Sequence, residues 1–357
     1  MTDMHLREII VPPALPCDKA RYQTDGINNN GVVKKVLSGN SYCISGSYSS
    51  ALSLYSRLKK TVRKEYPVRC YKSSRINREK FRAAASKLLV EIKEGKPVLE
   101  KFPEIPWIND FYPGIEKFCL SFPDLLGING AWQWYRKGVK YDVLNHSVHP
   151  FYGVYFPTRT EHLFMFDRWL SENKGRFGSA IDVGSGSGVL SFIMAKHGIK
   201  EILATDINPN SIFSINDNLK RLELSADIKA EKANLLDVDN ASAGLVVFNP
   251  PWIPGNPLNE IDKGIYFENG FFENFFDSVY NKTGKSTLVA VFFSNFARLT
   301  GLLKYNPVET ELNKSNRFSL VEKRESKVSM PSPGNKNRWL RGIRKKEKTE
   351  LWVLQKQ

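Results

Sequence analysis

The feature that most constrains this chain is a short apolar run that empties into glycines. Ser179 to Val183 reads as a buried strand, and it leads into Gly184-Ser185-Gly186-Ser187-Gly188; Val189 to His197 then reads as a helix closed by Gly198. Glycines in such a turn remove the Cβ and tolerate unusual dihedrals, so the backbone can come close to a ligand. The chain beyond Gly198 keeps the alternation of a parallel α/β domain. Glu201 to Asp206 is the next strand, after which Asn208 caps a helix with Pro209 at its first position and Ile212, Ile215, Leu219 and Leu222 on one face. Ile228 to Ala233 and Gly244 to Phe248 read as further strands, Gly270 to Tyr280 as an aromatic-rich helix, and Thr287 to Ser294 as an apolar strand. Phe318 to Val328 and Thr349 to Gln355 are expected to pair antiparallel around a polar loop, Pro331 to Lys348.

Asp206 ends the second strand twenty residues after Gly186, where a doubly wound fold uses an acid to accept hydrogen bonds from ribose hydroxyls. The spacing GxGxG departs from the GxGxxG of dinucleotide-binding domains and no second glycine turn comes after it, which argues against a nicotinamide dehydrogenase. Asp182, just before the glycines, is expected to orient the loop or approach the amino group of the ligand.

Val246-Val247-Phe248 runs into Asn249-Pro250-Pro251-Trp252, so this tetrapeptide leaves the carboxyl end of a strand, the side on which open α/β sheets bind ligands. Two prolines stiffen the chain there and remove two N–H donors. A planar amino or amide nitrogen is a weak nucleophile because its lone pair is delocalised, and acceptors that hold both N–H groups draw it towards tetrahedral geometry. The side-chain oxygen of Asn249 and the carbonyl of Pro250 are suitable acceptors, and Trp252 offers a face for stacking. Catalysis of this kind rests on positioning and preorganised polarity, without a strong base.

The segments IDVGSGSGVL, ATDINPNS and VVFNPPWIPG resemble the cofactor loop, the ribose-binding acid and the catalytic tetrapeptide of class I methyltransferases of the small-domain type, a group that includes the HemK-like protein glutamine methyltransferases. Val154 to Glu161 is similar to the proline-and-acid segment that precedes the fold in that group and lies over the cofactor. The resemblance spans residues 150 to 295. It implies a Rossmann-like, seven-stranded, mostly parallel sheet, S-adenosylmethionine as cofactor, and N-methylation. It assigns the cofactor to Asp182, Gly184, Ser185, Gly186, Gly188, Asp206, Ile207, Asn234, Leu235, Thr160 and Glu161, and the acceptor nitrogen to Asn249, Pro250, Pro251 and Trp252. Asn234 stands where the family often has Asp beside the adenine ring, and Trp252 replaces a more frequent Tyr or Phe.

The N-terminal third carries no such resemblance. Ser50 to Tyr66 and Asn77 to Glu94 read as helices, the second capped by Asn77, and Pro97 to Pro113 is a proline-broken linker. Trp132 to Val143 alternates like a hairpin turning at Lys137-Gly138, which would pack Trp132, Trp134 and Tyr135 together. The expected division is therefore a basic recognition region over 1–112, mainly α or α+β, a linker and hairpin over 113–149, and the methyltransferase domain over 150–357. Net charge is +15, and Arg57 to Lys87 alone holds twelve basic residues against Glu65 and Glu79, a concentration that favours a polyanionic partner. Cys17, Cys43, Cys70 and Cys119 show neither CxxC spacing nor a histidine cluster, so they read as free thiols with no metal site. Met1 to Asp18 has no apolar run behind a basic patch and no stretch reaches the length of a membrane span, so a cytoplasmic protein without a membrane partner is expected.

Among the remaining residues, His162 and His197 read as surface or capping groups and His146 and His149 as loop residues. Phe271, Phe272, Phe275 and Phe276 recur at helical spacing and read as core. Arg159 and Glu161 either touch the cofactor or pair with each other. Three substrate readings stay open: methylation of an exocyclic base amine, adenine N6 in ribosomal or other structured RNA; methylation of a glutamine amide in a translation-associated protein; and a non-catalytic RNA-binding or assembly protein that keeps the fold. The basic segments Arg57 to Lys87 and Lys336 to Lys348, where Trp339 stands among Arg338, Arg341 and Arg344, favour the first.

Overall fold

A computed structural model describes residues 8–17, 21–23, 29–238, 243–257, 260–314, 316–329 and 338–357. They form two compact units, one built mainly from residues 11–133 and the other from 8–10 and 134–357. Among these residues no helix is long and apolar enough to cross a membrane, and no group of three or more His, Cys, Asp or Glu side chains is gathered for a metal ion.

In the first unit β1 (Arg21–Gln23), β2 (Tyr42–Ile44) and β3 (Leu88–Lys93) run parallel, and β4 (Lys96–Pro97) and β5 (Lys117–Ser121) each pair antiparallel with β3. α1 (Asn29–Leu37), α2 (Tyr48–Glu65) and α3 (Tyr71–Ala85) pack together, and α4 (Trp107–Phe111) and α5 (Phe122–Lys137) flank β5 in sequence. Three expectations change here. Asn77 caps no helix of its own: α3 starts after Cys70, where Ser73 Oγ accepts from the Arg69 and Cys70 N–H groups, and Asn77 donates from its second turn to the Tyr66 carbonyl at 2.8 Å, closing α2 instead. From Leu88 to Lys93 the chain is a strand, not a continuation of helix, because Leu88, Leu89, Val90 and Ile92 are buried and the segment pairs on both edges within the sheet. Trp132, Trp134 and Tyr135 lie on α5; Gly138, at φ 74° with its N–H on the Trp134 carbonyl, terminates that helix and does not turn a hairpin. The free-thiol expectation is also corrected. Leu15 exchanges two backbone hydrogen bonds with Cys119, which sets Cys17 beside it, and Cys17 and Cys119 form a disulfide with Cα atoms 5.4 Å apart, while Cys43 and Cys70 are free.

In the second unit a short antiparallel pair, β6 (Val139–Lys140) and β7 (Ser147–Val148), precedes α6 (Glu161–Glu172). The central sheet comprises β8 (Ser179–Val183), β9 (Glu201–Asp206), β10 (Asp227–Lys232), β11 (Leu245–Phe248), β14 (Leu288–Ser294), β15 (Phe318–Lys327) and β16 (Lys348–Lys356) in spatial order β10-β9-β8-β11-β14-β16-β15, with β16 antiparallel to both of its neighbours. The sheet is thus seven-stranded and mostly parallel, as the resemblance to class I methyltransferases implies. The side chains alternate between two buried layers. Ala180, Val247, Ala290 and Phe292 pack with α6 and α7 (Val189–Lys196); Ile181, Val246, Val291 and Phe293 pack with α10 (Phe271–Lys282) and α12 (Pro307–Lys314). Order reverses at β8, so the crevice beyond the carboxyl ends of β8 and β11 is the switch point at which such sheets bind ligands.

Between the sheet strands lie α8 (Pro209–Arg221), the small parallel pair β12 (Ile253–Pro254) and β13 (Tyr266–Phe267), α9 (Glu260–Lys263) between them, and α11 (Phe296–Leu299). α8 has the expected Asn208 cap and first-position Pro209, but its buried face is polar: Asn210, Ser211, Ser214 and Asn218 are inside with Ile215. The cause is what it meets. Asn218 exchanges bonds with both backbone groups of His149, Ser214 accepts from the Phe151 N–H, and Asn210 bonds the Tyr152 carbonyl and both backbone groups of Ile10, so amides satisfy irregular chain that has no ladder of its own. Of the expected polar loop Pro331 to Lys348, residues 331–337 lie outside the described residues and α13 (Arg338–Arg344) is helical.

Candidate active site

The glycine loop is fixed from three sides. Gly184, Gly186 and Gly188 all have left-handed dihedrals, φ 61°, 53° and 81°. A Cβ on Gly186 would stand 2.8 Å from the Tyr155 carbonyl oxygen, which itself accepts the Ser187 N–H at 3.1 Å. A Cβ on Gly188 would press on Ile215 and Phe192 at 3.0 and 3.1 Å, so that glycine serves helix packing. Ser185 ties the loop to β9 through its N–H and hydroxyl, both on the Thr205 carbonyl.

Asp206, at the end of β9, accepts the Gly186 N–H on one carboxylate oxygen and the Asn208 N–H on the other, each at 2.8 Å. It thereby joins the glycine turn to the cap of α8 while facing the cleft. Asp182 has a different place. It is fully buried, and its Oδ2 accepts both the N–H and the hydroxyl of Ser191, at 3.0 and 2.6 Å, capping the first turn of α7. Burial pushes its carboxyl up to about 7, with Asp206 adding to the rise, and Oδ1 has no hydrogen-bond partner.

A cleft of about 320 Å³ opens at the switch point. It is lined by Gly184, Gly186, Asp206, Ile207, Asn234 and Leu235 from the loop and the ends of β8 to β10, and by Phe248, Asn249, Pro251, Tyr266, Phe267 and Phe271 from β11 and the chain beyond it, with Tyr155 also on the lining. The structure thus brings eight of the residues expected from sequence to one cavity. Asp182, Ser185 and Gly188 stand behind it, and Pro250 is buried next to Asn249. The Asn249 side-chain oxygen is buried and has no hydrogen-bond partner.

Trp252, Thr160 and Glu161 depart from the expectation and are not on the cleft lining. Trp252 is half-buried and packs against both hydrophobic layers, its indole edge-on to the His162 ring with centroids 5.8 Å apart. The reason is the strand beneath: past the end of β11, Asn249 and Pro251 reach the cleft whereas Trp252 turns back over α6. His162 is therefore no surface group; it is buried, neither ring nitrogen has a partner, and burial pulls its pKa down to about 4. Thr160 occupies the N-cap position of α6, and Glu161 accepts the Ser329 N–H at 2.7 Å. Arg159 lies 3.5 Å from Glu347. The expected core reading holds for Phe272, Phe275 and Phe276, while Phe271 is half-buried and lines the cleft. Tyr155 belongs to the Val154 to Glu161 segment expected over the cofactor and is its member on the lining, whereas sequence reasoning missed Tyr266 and Phe267, which come from a two-residue strand without periodicity.

Residues 165–263 match the family model described as methyltransferase small domain. A ribosomal protein L11 methyltransferase of Clostridium botulinum is 29% identical over 190 residues, 51% of this chain and 58% of its own length. A Methanocaldococcus jannaschii protein provisionally named protein N5-glutamine methyltransferase is 27% identical over 121 residues, 34% of this chain and 57% of its own. Among solved structures, a ribosomal protein L11 methylase of Lactobacillus delbrueckii subsp. bulgaricus shares 19% identity, with 61% of this chain and 91% of that one covered and a TM-score of 0.38. The matches thus span a little over half the length of the first two relatives. The matched segment contains the glycine loop, Asp206 and Asn249, and the cleft residues suit a nucleoside-bearing cofactor such as S-adenosylmethionine: left-handed glycines for close backbone approach, a carboxylate and an unpartnered acceptor on one lining.

Proposed function

We propose that this chain is an S-adenosylmethionine-dependent N-methyltransferase that acts on a planar exocyclic amino nitrogen, adenine N6 in ribosomal or other structured RNA. The observation that carries the chemistry is the buried, partnerless side-chain oxygen of Asn249, a residue that lines the same cleft as Gly186 and Asp206. A buried acceptor left without a donor is costly, on the order of 1–3 kcal/mol, and a substrate N–H relieves that cost. Gly184, Gly186 and Asp206 would hold the cofactor, with Ile207, Asn234 and Leu235 beside it. When bound, the cofactor supplies a sulfonium methyl, to which the nitrogen forms its new bond as the sulfur–carbon bond breaks. Asn249 Oδ1 and the Pro250 carbonyl would accept the two N–H groups, orient the lone pair, and release one proton to solvent. Pre-placed acceptors of this kind act without reorganising during the reaction.

The preference for RNA rests on the first unit. Arg57, Lys59, Lys60, Arg63 and Lys64 on α2 and Lys72, Arg78 and Lys80 on α3 are all exposed, against Glu65 and Glu79, an arrangement suited to phosphates. A protein acceptor is the second reading, favoured by the names of the two relatives above. Labelled S-adenosylmethionine and a total cell extract separate them: label lost to nuclease and kept through protease is expected, and the reverse would replace RNA by protein. Asn249→Ala is expected to lower kcat by roughly 100- to 1000-fold, as loss of one preorganised hydrogen-bonding group does, with cofactor affinity kept; undiminished transfer would refute its role.

A further inference from the structure

Trp252 leaves the acceptor without the stacking face expected of the tetrapeptide, and another ring stands in its place. Phe248, the last residue of β11, is buried with its ring edge 3.5 Å from where a Cβ of Gly184 would lie. From Phe248 the aromatic series continues outward: its ring and that of Phe271 have centroids 5.9 Å apart at 37°, and Phe271 and Phe267 come next at 6.2 Å and 30°. Behind them Phe275 stacks on Phe248 at 4.2 Å, and Phe272 stands edge-on to Phe267, Phe271 and Phe293. Phe248 and Phe267 are buried; Phe271 is the member of the series with an accessible face. It lines the Asn249 cleft and also an adjoining cavity of about 280 Å³ that shares Phe267 and Glu268 with it.

We infer that Phe271 is the stacking face for the planar acceptor, a specificity-determining residue that holds the ring or amide plane whose nitrogen Asn249 binds. The inference rests on the methyl-acceptor reading above. Its anchor is rigid: the first residue of α10 is fixed by three neighbouring rings, so the exposed face is presented without the entropy loss of ordering a free side chain. Its chemistry is selective for flat groups, since every base or amide has a π face and a saturated side chain has none.

The test is a kinetic split. On the acceptor identified by label transfer, Phe271→Leu, which keeps apolar bulk and removes the π face, is expected to raise KM roughly 5- to 150-fold, the range that loss of one base–aromatic stack implies. S-adenosylhomocysteine affinity measured by calorimetry is expected to stay unchanged, and Phe271→Tyr to restore KM. Unchanged KM in a Leu variant that still binds S-adenosylhomocysteine would overturn the inference. A second measurement needs no variant: the wild-type protein, saturated with S-adenosylhomocysteine, is irradiated with oligoadenylate carrying 8-azidoadenine. A cross-link at Phe271 is expected, and one at Trp252 instead would overturn it. Label transfer to protein with KM still raised by Phe271→Leu would remove RNA from the proposed function and leave the role of Phe271 standing. Transfer to RNA with KM unmoved would do the opposite.

Discussion

Asp182 offers the sharpest check on how the cofactor loop is supported, because its substitution by Asn has a pH signature that packing alone cannot imitate. The carboxyl is fully buried, makes both of its bonds through Oδ2 to Ser191, and is raised from 3.8 to about 7 by burial, reinforced by Asp206. The folded state therefore holds this proton more tightly than the unfolded state does. Stability from this group is full below the unfolded pKa, falls as pH rises through the interval up to the folded pKa, and is level above it. Between pH 5 and pH 8 the wild type should lose about 2–3 kcal/mol through Asp182, at ~1.4 kcal/mol per pH unit. Asn is neutral throughout and keeps an acceptor for Ser191, so Asp182→Asn removes this slope. Its own offset is an unsatisfied amide where Oδ1 stood, about 1–3 kcal/mol and independent of pH. Urea unfolding of both proteins from pH 5 to pH 8 is the assay, monitored by a probe of the second unit such as near-ultraviolet dichroism. The variant-minus-wild-type stability should rise by about 2–3 kcal/mol across that range, a relative shift of roughly 0.7–3 M in urea midpoint at an m-value of about 1–3 kcal/mol/M. A difference that is flat with pH would show that Asp182 is ionised in the folded state at pH 5, and the burial argument would be refuted.

Gly186→Ala should destabilise the loop by about 2–3 kcal/mol, from a left-handed dihedral at ~1–2 kcal/mol and loss of the Ser187 to Tyr155 bond at ~1 kcal/mol, and should weaken S-adenosylhomocysteine binding at least about tenfold by calorimetry; equal affinity would mean that Tyr155 does not fix the loop. Cys17→Ser is expected to lower the thermal transition of the first unit by the equivalent of ~2–4 kcal/mol, because the disulfide closes a loop between residues 102 positions apart. Four titratable thiols in denaturant without reductant, where two are expected, would refute the pairing.

Features that depend on near neighbours are legible in the chain. β8, the glycine turn, α7, β9 and the Asn208 cap of α8 are all determined within a few residues, by apolar run length, glycine position and a side-chain acceptor just before a helix. The same holds for the antiparallel closing pair, whose two strands are nine and ten residues long. Less legible is anything that two distant segments decide together. The 102-residue separation of Cys17 and Cys119 leaves no local mark. The Asn and Ser residues of α8 resemble a solvent face until the irregular chain at His149 to Tyr152 supplies backbone groups for them. Gly138 serves equally in a hairpin turn and at a helix end, and only the helical bonds before it choose.

The candidate site divides along the same line, and the division bears on its chemistry. Asn249 is legible because a strand end dictates its position: β11 is buried on both faces and pairs with β8 and β14, so the first residue beyond it must emerge at the switch point. Trp252 lies three residues further on, beyond the last strand pairing, where nothing local sets its direction. Its indole packs edge-on to His162 of α6, whose ring in turn stands edge-on to Phe292 of β14. After Trp252 the chain leaves and returns through β12 and β13, which bring Tyr266 and Phe267 to the cleft before α10 begins. On the proposed reading, the acceptor's plane is governed by Phe271, nineteen residues past Trp252, so that Asn249 and Pro250 would specify the nitrogen chemistry and α10 the shape of the group carrying that nitrogen.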